Sequence, residues 1–139
     1  PISADMQVMR QSIVPNLLKL ASRNFARGVQ NFKIFEIGTV FQNGKETQKL
    51  TVLIAGKNMK SNLHGDERPF DYFDAKADFE ACVDSLGFDS QKLMITRDTI
   101  KFYHPAISAE IKVGKNQVAL VGKVHPKILK KYDIKEIAI

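Results

Sequence analysis

The side chains able to do chemistry are few, and their spacing limits what they can do. His64, His104 and His125 lie far apart, and only the last two share a context, each preceding a proline in "YHPA" and "VHPK". A zinc site takes three or four ligands at recognisable spacing, so these two are read as rings that pack at a strand end and bond a nearby backbone group. The single cysteine, Cys82, allows neither an intramolecular disulfide nor a thiolate cluster, and its place in the apolar repeat of a predicted helix makes it a core residue. Three acidic pairs, Asp66 with Glu67, Asp71 with Asp74 and Asp78 with Glu80, lie at or before that same helix. Negative charge is favoured there by the helix dipole, and capping accounts for them. No Gly-x-Gly-x-x-Gly, no Gly-Lys-Ser/Thr and no Gly-x-Ser-x-Gly occurs, so the sequence offers no phosphate cradle and no nucleophile elbow. No catalytic, cofactor-binding or metal residue is predicted.

One carboxylate does not fit this account. Glu36 lies in "FKIFEIGTVFQNG", residues 32 to 44, between Phe35 and Ile37 and on the same alternating face as Ile34 and Val40. Such a group must find a donor or bear a desolvation cost of several kcal/mol. Arg10 or Lys76 is the expected partner.

The elements that must position these groups can be read from periodicity. Ser12 to Arg27 is predicted as the first helix: Val14, Leu17, Leu18, Ala21 and Phe25 recur at three- and four-residue steps, Ser12 caps it, Pro15 falls in its first turn and Gly28 ends it. Residues 31 to 42 carry Phe32, Ile34 and Val40 on one face and Phe35, Ile37 and Phe41 on the other, which predicts a central strand covered on both sides. Residues 44 to 48 read as a polar turn, 50 to 55 as the returning strand of a hairpin, and 57 to 70 as a loop. Phe73 to Leu86 is the second helix, with Phe79, Val83 and Leu86 on one face and Gly87 as its stop. Strands follow at 93 to 96, 109 to 113 and 117 to 124, the last two joined by the turn at 114 to 116. Pro126 opens a short helix ending near Tyr132, and the final "IKEIAI" alternates like a strand. Strands and helices do not alternate strictly, so the fold class is α+β, an antiparallel sheet flanked by helices.

The 139 residues, 44% of them hydrophobic, suit a single domain. No run reaches the ~18 apolar residues of a membrane span, and the first residues lack a signal-peptide layout, so a soluble, cytoplasmic protein is expected. The balance of 21 Lys and Arg against 15 Asp and Glu gives +6, which favours anionic partners. The densest basic group is Lys123, Lys127, Lys130 and Lys131, read as a solvated face before a phosphate track.

Together these residues resemble a known family. "PISADMQVMRQSIVPNLL", "LASRNFARG", "FKIFEIGTVF", "YFDAKADFEACVDSLGF", "YHPAISAEI" and "VALVGKVHPKILKKYDI" are similar, in order and across nearly the whole chain, to the catalytic-like module of the bacterial-type phenylalanyl-tRNA synthetase β subunit. Ala77, Ala106 and Ile107 depart from the family's usual glycines and arginine. The resemblance implies a class II synthetase-like fold. In active members of that class the strand reads Phe-Glu-Ile-Gly-x-x-Phe-Arg-x-Glu, and the arginine binds the ATP α-phosphate, a task for a permanent bidentate cation. Here Glu36 and Phe41 are kept, but Gln42 and Gly44 stand at the arginine and glutamate positions.

The resemblance therefore implies a non-catalytic structural and interaction module, partnered by the α subunit and, in the full assembly, by tRNA(Phe). ATP and Mg belong to the whole enzyme only. It further implies a fragment truncated at both ends, residues 1–139 forming one domain with sheet edges left exposed and prone to self-association. Two other readings compete. One is a free-standing RNA-binding module using Lys123, Lys127, Lys130 and Lys131, disfavoured because only Tyr132 lies near them in sequence to stack a base. The other is an active ligase whose phosphate-binding arginine is Arg97 or Arg68.

Overall fold

The computed structural model describes residues 9–58, 68–97 and 101–134. His64, Asp66, Glu67 and the last five residues of the predicted terminal strand lie outside them. Helix α1 runs Val14–Ala26 and is followed by the hairpin β1 (Phe32–Gln42) and β2 (Lys45–Ala55), then by a two-residue ribbon, β3 (Lys57–Asn58) with β4 (Arg68–Pro69). Helix α2 (Tyr72–Ser85) leads through a single 3-10 turn to β5 (Met94–Thr96), β6 (Tyr103–Val113) and β7 (Asn116–Val124), and α3 (Pro126–Lys131) closes the order. Every strand pairing among the described residues is antiparallel, in keeping with the α+β expectation, and there the strands fall into separate ribbons, β1–β2, β3–β4 and β5–β6–β7.

Local chemistry sets the boundaries. Pro15 sits in the first turn of α1, and the Ser12 hydroxyl accepts the Val14 N–H at 3.2 Å, one residue ahead of the cap position held by Ile13. The three α-helices among the described residues end in the same double hydrogen bond. In α1 the Gly28 and Val29 N–H groups donate to Phe25 O and Asn24 O; in α2 those of Gly87 and Phe88 donate to Asp84 O and Val83 O; in α3 those of Asp133 and Ile134 donate to Lys130 O and Leu129 O. Each needs a left-handed residue at the turn, supplied by Gly28, Gly87 and Asp133.

The hairpin differs from expectation at its turn. Asn43 and Gly44 both have positive φ, a two-residue turn matched to strand twist, so Gln42 pairs directly with Lys45 and, of the polar turn expected over 44 to 48, residues 45 to 48 are strand. The coverage of β1 also differs. Phe32, Ile34 and Val40 face α1, whereas Phe35 and Ile37, beside Val52 and Leu50 of β2, remain 70% and 64% exposed. The strand is covered on one face, not two. In α2 the packed face is Tyr72, Ala75 and Phe79; Leu86, expected there, is exposed, and Cys82 is half-buried instead of core.

Among the described residues, side chains and not ladder bonds join the ribbons. Ile13, Leu17, Leu18 and Ala21 of the α1 segment pack with Val40, Leu53 and Ala55 of the hairpin and with Tyr103, Val124, Leu129 and Ile134 from the β6–β7 end of the chain. A smaller cluster, Ala109, Ile111 and Val121, packs under α2. Tyr103 lies edge-on to Phe102, and a Cβ at Gly122 would come within 2.9 Å of its ring.

Burial pushes the Tyr103 phenol up to about 12. Below the ordinary value near 10 the group is neutral in both states; from there to about 12 the unfolded chain loses the proton that the folded chain keeps, so stability falls with rising pH. Tyr103→Phe should change little at neutral pH and abolish a loss of about 2–3 kcal/mol over that window. Urea unfolding of both chains at pH 8 and pH 11.5 checks this, and parallel pH curves would refute it.

Candidate functional site

The strand that carries the synthetase-like motif is anchored by the segment ahead of α1. Glu36 lies on the packed face of β1, and the Arg10 guanidinium reaches it as a charge-assisted hydrogen bond. Arg10 Nε also donates to Thr39 O at 2.9 Å, while Arg10 O accepts the Phe41 N–H at 2.9 Å. The guanidinium crosses above Gly38: a Cβ there would fall 2.0 Å from Arg10 Nη2. Arg10 is thus the partner of Glu36; the alternative, Lys76, pairs instead with Glu80 one turn along α2.

Gln42 continues the same seam. Its Nε2 donates to Gln11 O at 2.9 Å, and its Oε1 accepts from Lys49 Nζ at 3.4 Å. Gly44 occupies the left-handed second position of the hairpin turn, and Phe41 is half-buried on the opposite face of β1. The four motif positions are therefore brought together on one strand and its turn. At position 42 they present a neutral amide bonded to the backbone of the preceding segment.

The remaining predicted residues are placed as follows. Asp71 is the N-cap of α2, accepting from the Phe73 N–H at 2.8 Å and the Asp74 N–H at 3.2 Å, and Asp74 accepts the Asp71 N–H at 2.9 Å. Asp74 also takes both arms of Arg68, at 2.6 and 2.7 Å. That hydrogen bond is the main reason its carboxyl lies below the usual range, a stabilisation present above the unfolded value and lost as pH falls through the folded one. Arg68, one of the two arginines considered for phosphate binding, is thus committed. Asp78 and Glu80 are not caps: they pair with Lys33, at 2.7 Å, and with Lys76. His104 Nδ1 accepts the Ala106 N–H at 3.2 Å and His125 Nδ1 the Lys127 N–H at 3.1 Å, so each ring bonds the N–H just beyond its proline, as expected. Among the described residues no group of three or more His, Cys, Asp or Glu could hold a metal.

The basic cluster is divided. Lys127, Lys130 and Lys131 are exposed on α3, whereas Lys123 lines a cleft between the start of α2 and the β5–β6–β7 ribbon, together with Arg97, Phe70, Tyr72 and Phe73. Lys123 and the aromatics are some fifty residues apart in sequence, and no local signal joins them.

The family described as "Phenylalanyl tRNA synthetase beta chain CLM domain" matches residues 1–139. The chain belongs to this family. It is 39% identical to the phenylalanine–tRNA ligase beta subunit of Rickettsia bellii over 98% of its own length and 16% of that protein. It is 38% identical to that of Cereibacter sphaeroides over 100% and 18%. The chain thus spans about a sixth of the length of these relatives. Among solved structures, PylSc of Desulfitobacterium hafniense, a pyrrolysyl tRNA synthetase, superposes with a TM-score of 0.66 at 15% identity, over 92% of this chain and 44% of that one. At that identity the likeness concerns the fold, a class II synthetase-like α+β arrangement. No helix among the described residues is long and apolar enough to cross a membrane.

The Arg10, Glu36 and Gly38 geometry predicts strong non-additivity. Gly38→Ala should destabilise the chain by about 1–2 kcal/mol by evicting the guanidinium from Glu36, yet cost far less once Arg10→Ala has removed the obstacle. A double-mutant cycle by denaturant unfolding measures this; equal costs in both backgrounds would show that the pair does not depend on Gly38.

Proposed function

We propose that this chain is a non-catalytic structural and interaction module of phenylalanine–tRNA ligase, supporting assembly with the α subunit for ATP-dependent attachment of phenylalanine to tRNA(Phe). One observation carries the reading. Gln42, at the position where the class places its ATP-binding arginine, is a neutral amide held by Gln11 O and Lys49. It can supply neither the permanent charge nor the bidentate fork that an α-phosphate requires. Gly44, in a left-handed turn, has no carboxylate to offer. On this reading the segment takes no cofactor, and ATP and Mg serve the whole enzyme alone.

The interaction half of the proposal draws support from the uncovered face of the hairpin. Phe35 with Val52 and Ile37 with Leu50 form adjacent cross-strand pairs that the other described residues leave exposed. Contiguous exposed apolar surface of this kind commonly marks a protein contact. The active-ligase reading is weakened by the pairing of Arg68 with Asp74.

Co-purification with the α subunit of the same ligase, followed by sizing, tests assembly, and calorimetric titration of ATP into the chain alone tests silence. A stable complex without ATP heat is expected, and Phe35→Asp with Ile37→Asp should lower the yield of complex at least tenfold. Saturable ATP binding with no complex would overturn the proposal.

A further inference from the structure

The cleft between α2 and the β5–β6–β7 ribbon belongs neither to the motif strand nor to the exposed hairpin face. Its volume is about 430 Å³, within the ~300–1,000 Å³ of small-ligand sites. Its walls combine aromatic and aliphatic groups, Phe70, Tyr72, Phe73 and Ile107, with two cations, Arg97 and Lys123. Neither cation has an acidic partner among the described residues, whereas Arg68, two residues ahead of Phe70, is held by Asp74 and Asp71. The one carboxylate among the described residues of the lining, Asp71, is already turned to the N–H groups of Phe73 and Asp74 and lies 3.6 Å from Arg68. The rings differ in availability. Phe70 has Lys33 Nζ 5.3 Å from its centroid, and Tyr72 meets Phe73 edge to face at 5.4 Å. Phe73 is 71% exposed, which leaves it able to take a further ring.

An exposed aromatic face beside two unneutralised cations, over apolar walls, matches a ligand that joins a flat ring to an anion. Single-stranded nucleic acid offers that pairing in every residue, and base–aromatic stacking with a basic track is how such strands are held. We propose that this cleft binds one unpaired nucleotide of an RNA strand, its base stacked on Phe73 and its phosphate on Arg97 and Lys123. The three residues come from α2, the end of β5 and the end of β7, so the site exists only in the folded chain. It is independent of the assembly reading, because it uses none of the hairpin residues. It also moves any RNA contact away from the α3 lysines, which do not line the cleft.

The test is fluorescence anisotropy of a labelled, unstructured six-nucleotide RNA titrated with the full chain at several salt concentrations, with an RNA duplex as competitor. Binding should weaken about 5- to 100-fold in Phe73→Ala and be kept in Phe73→Tyr, which preserves the ring. Arg97→Gln and Lys123→Gln should each weaken binding, and replacing both should lower the log–log salt slope by about 0.7, the share of the one phosphate they hold. All these side chains reach solvent, and unchanged thermal melts would confirm that the variants fold. Several results would overturn the proposal: no binding at low salt; full competition by duplex; an unaffected Phe73→Ala; loss of binding on replacing Lys127, Lys130 and Lys131 by Gln; or preferential binding of an acidic, aromatic peptide. Co-purification with the α subunit should be unaltered in the cleft variants, so failure here leaves the assembly reading standing.

Discussion

A carboxylate on the packed face of a strand has to be answered by a cation, and the Arg10–Glu36 pair is the constraint on which much of this structure rests. The pair retains about a third of its side-chain exposure on each partner, so its Coulomb energy alone is modest. Its larger effect is geometric. Reaching Glu36 requires the segment ahead of α1 to lie against β1, and that course is fixed by Arg10 Nε to Thr39 O, Phe41 N to Arg10 O and Gln42 to Gln11 O. Ile13 and the apolar stripe of α1 are thereby delivered onto Val40 and Leu53. Gly38 leaves room for the guanidinium to lie where it does, because a side chain there would meet it and force it to shift. The Glu-x-Gly spacing in β1 thus has a structural role, whether or not the strand ever touches a nucleotide.

The second constraint is the seam between the ribbons. Among the described residues no backbone ladder joins the β1–β2 hairpin to β5–β6–β7; there the two meet through interdigitated side chains, with Tyr103, Val124 and Leu129 beside Leu17, Leu18 and Leu53. A seam of this kind is sensitive to volume, since core packing forfeits dispersion energy for every gap. Its polar member, Tyr103, adds a pH sensitivity that a purely apolar seam lacks.

Much of the arrangement was legible from sequence where a local signal had a local cause. Gly28 and Gly87 mark helix ends because only left-handed backbone closes those turns, and the His-Pro pairs announce rings that bond the next free N–H. The misreadings have equally definite causes. Residues 45 to 48, part of the stretch read as a polar turn, are polar on both faces, but the Asn43–Gly44 turn continues the register regardless of side-chain polarity. The first half of β6 was missed because Pro105 breaks a strand pattern; it sits where the β6–β7 register shifts between Tyr103 and Ser108, a place where no ladder donor is required. Phe35 and Ile37 predicted a two-sided strand because periodicity reports an apolar face without saying whether the same chain covers it. The cleft around Arg97 and Lys123 was illegible for a different reason, since its residues meet only after three separate elements have packed.

These causes also bear on how the motif strand would have lost its chemistry. On the proposed reading the departure is written into the backbone as well as into side chains. Glutamine at position 42 has become a tether for the preceding segment, so its amide is engaged in holding α1 rather than idle. Position 44 adopts φ +74, a conformation that costs a side-chain-bearing residue roughly 1–2 kcal/mol, so a glutamate there would oppose the turn that sets the hairpin register. The two positions are linked by that turn: Gln42 pairs with Lys45 because Asn43 and Gly44 close it in two residues. A strand so tied gains rigidity from the same residues that would otherwise have to move toward a substrate, and that exchange fits a part whose task is to hold its neighbours in place.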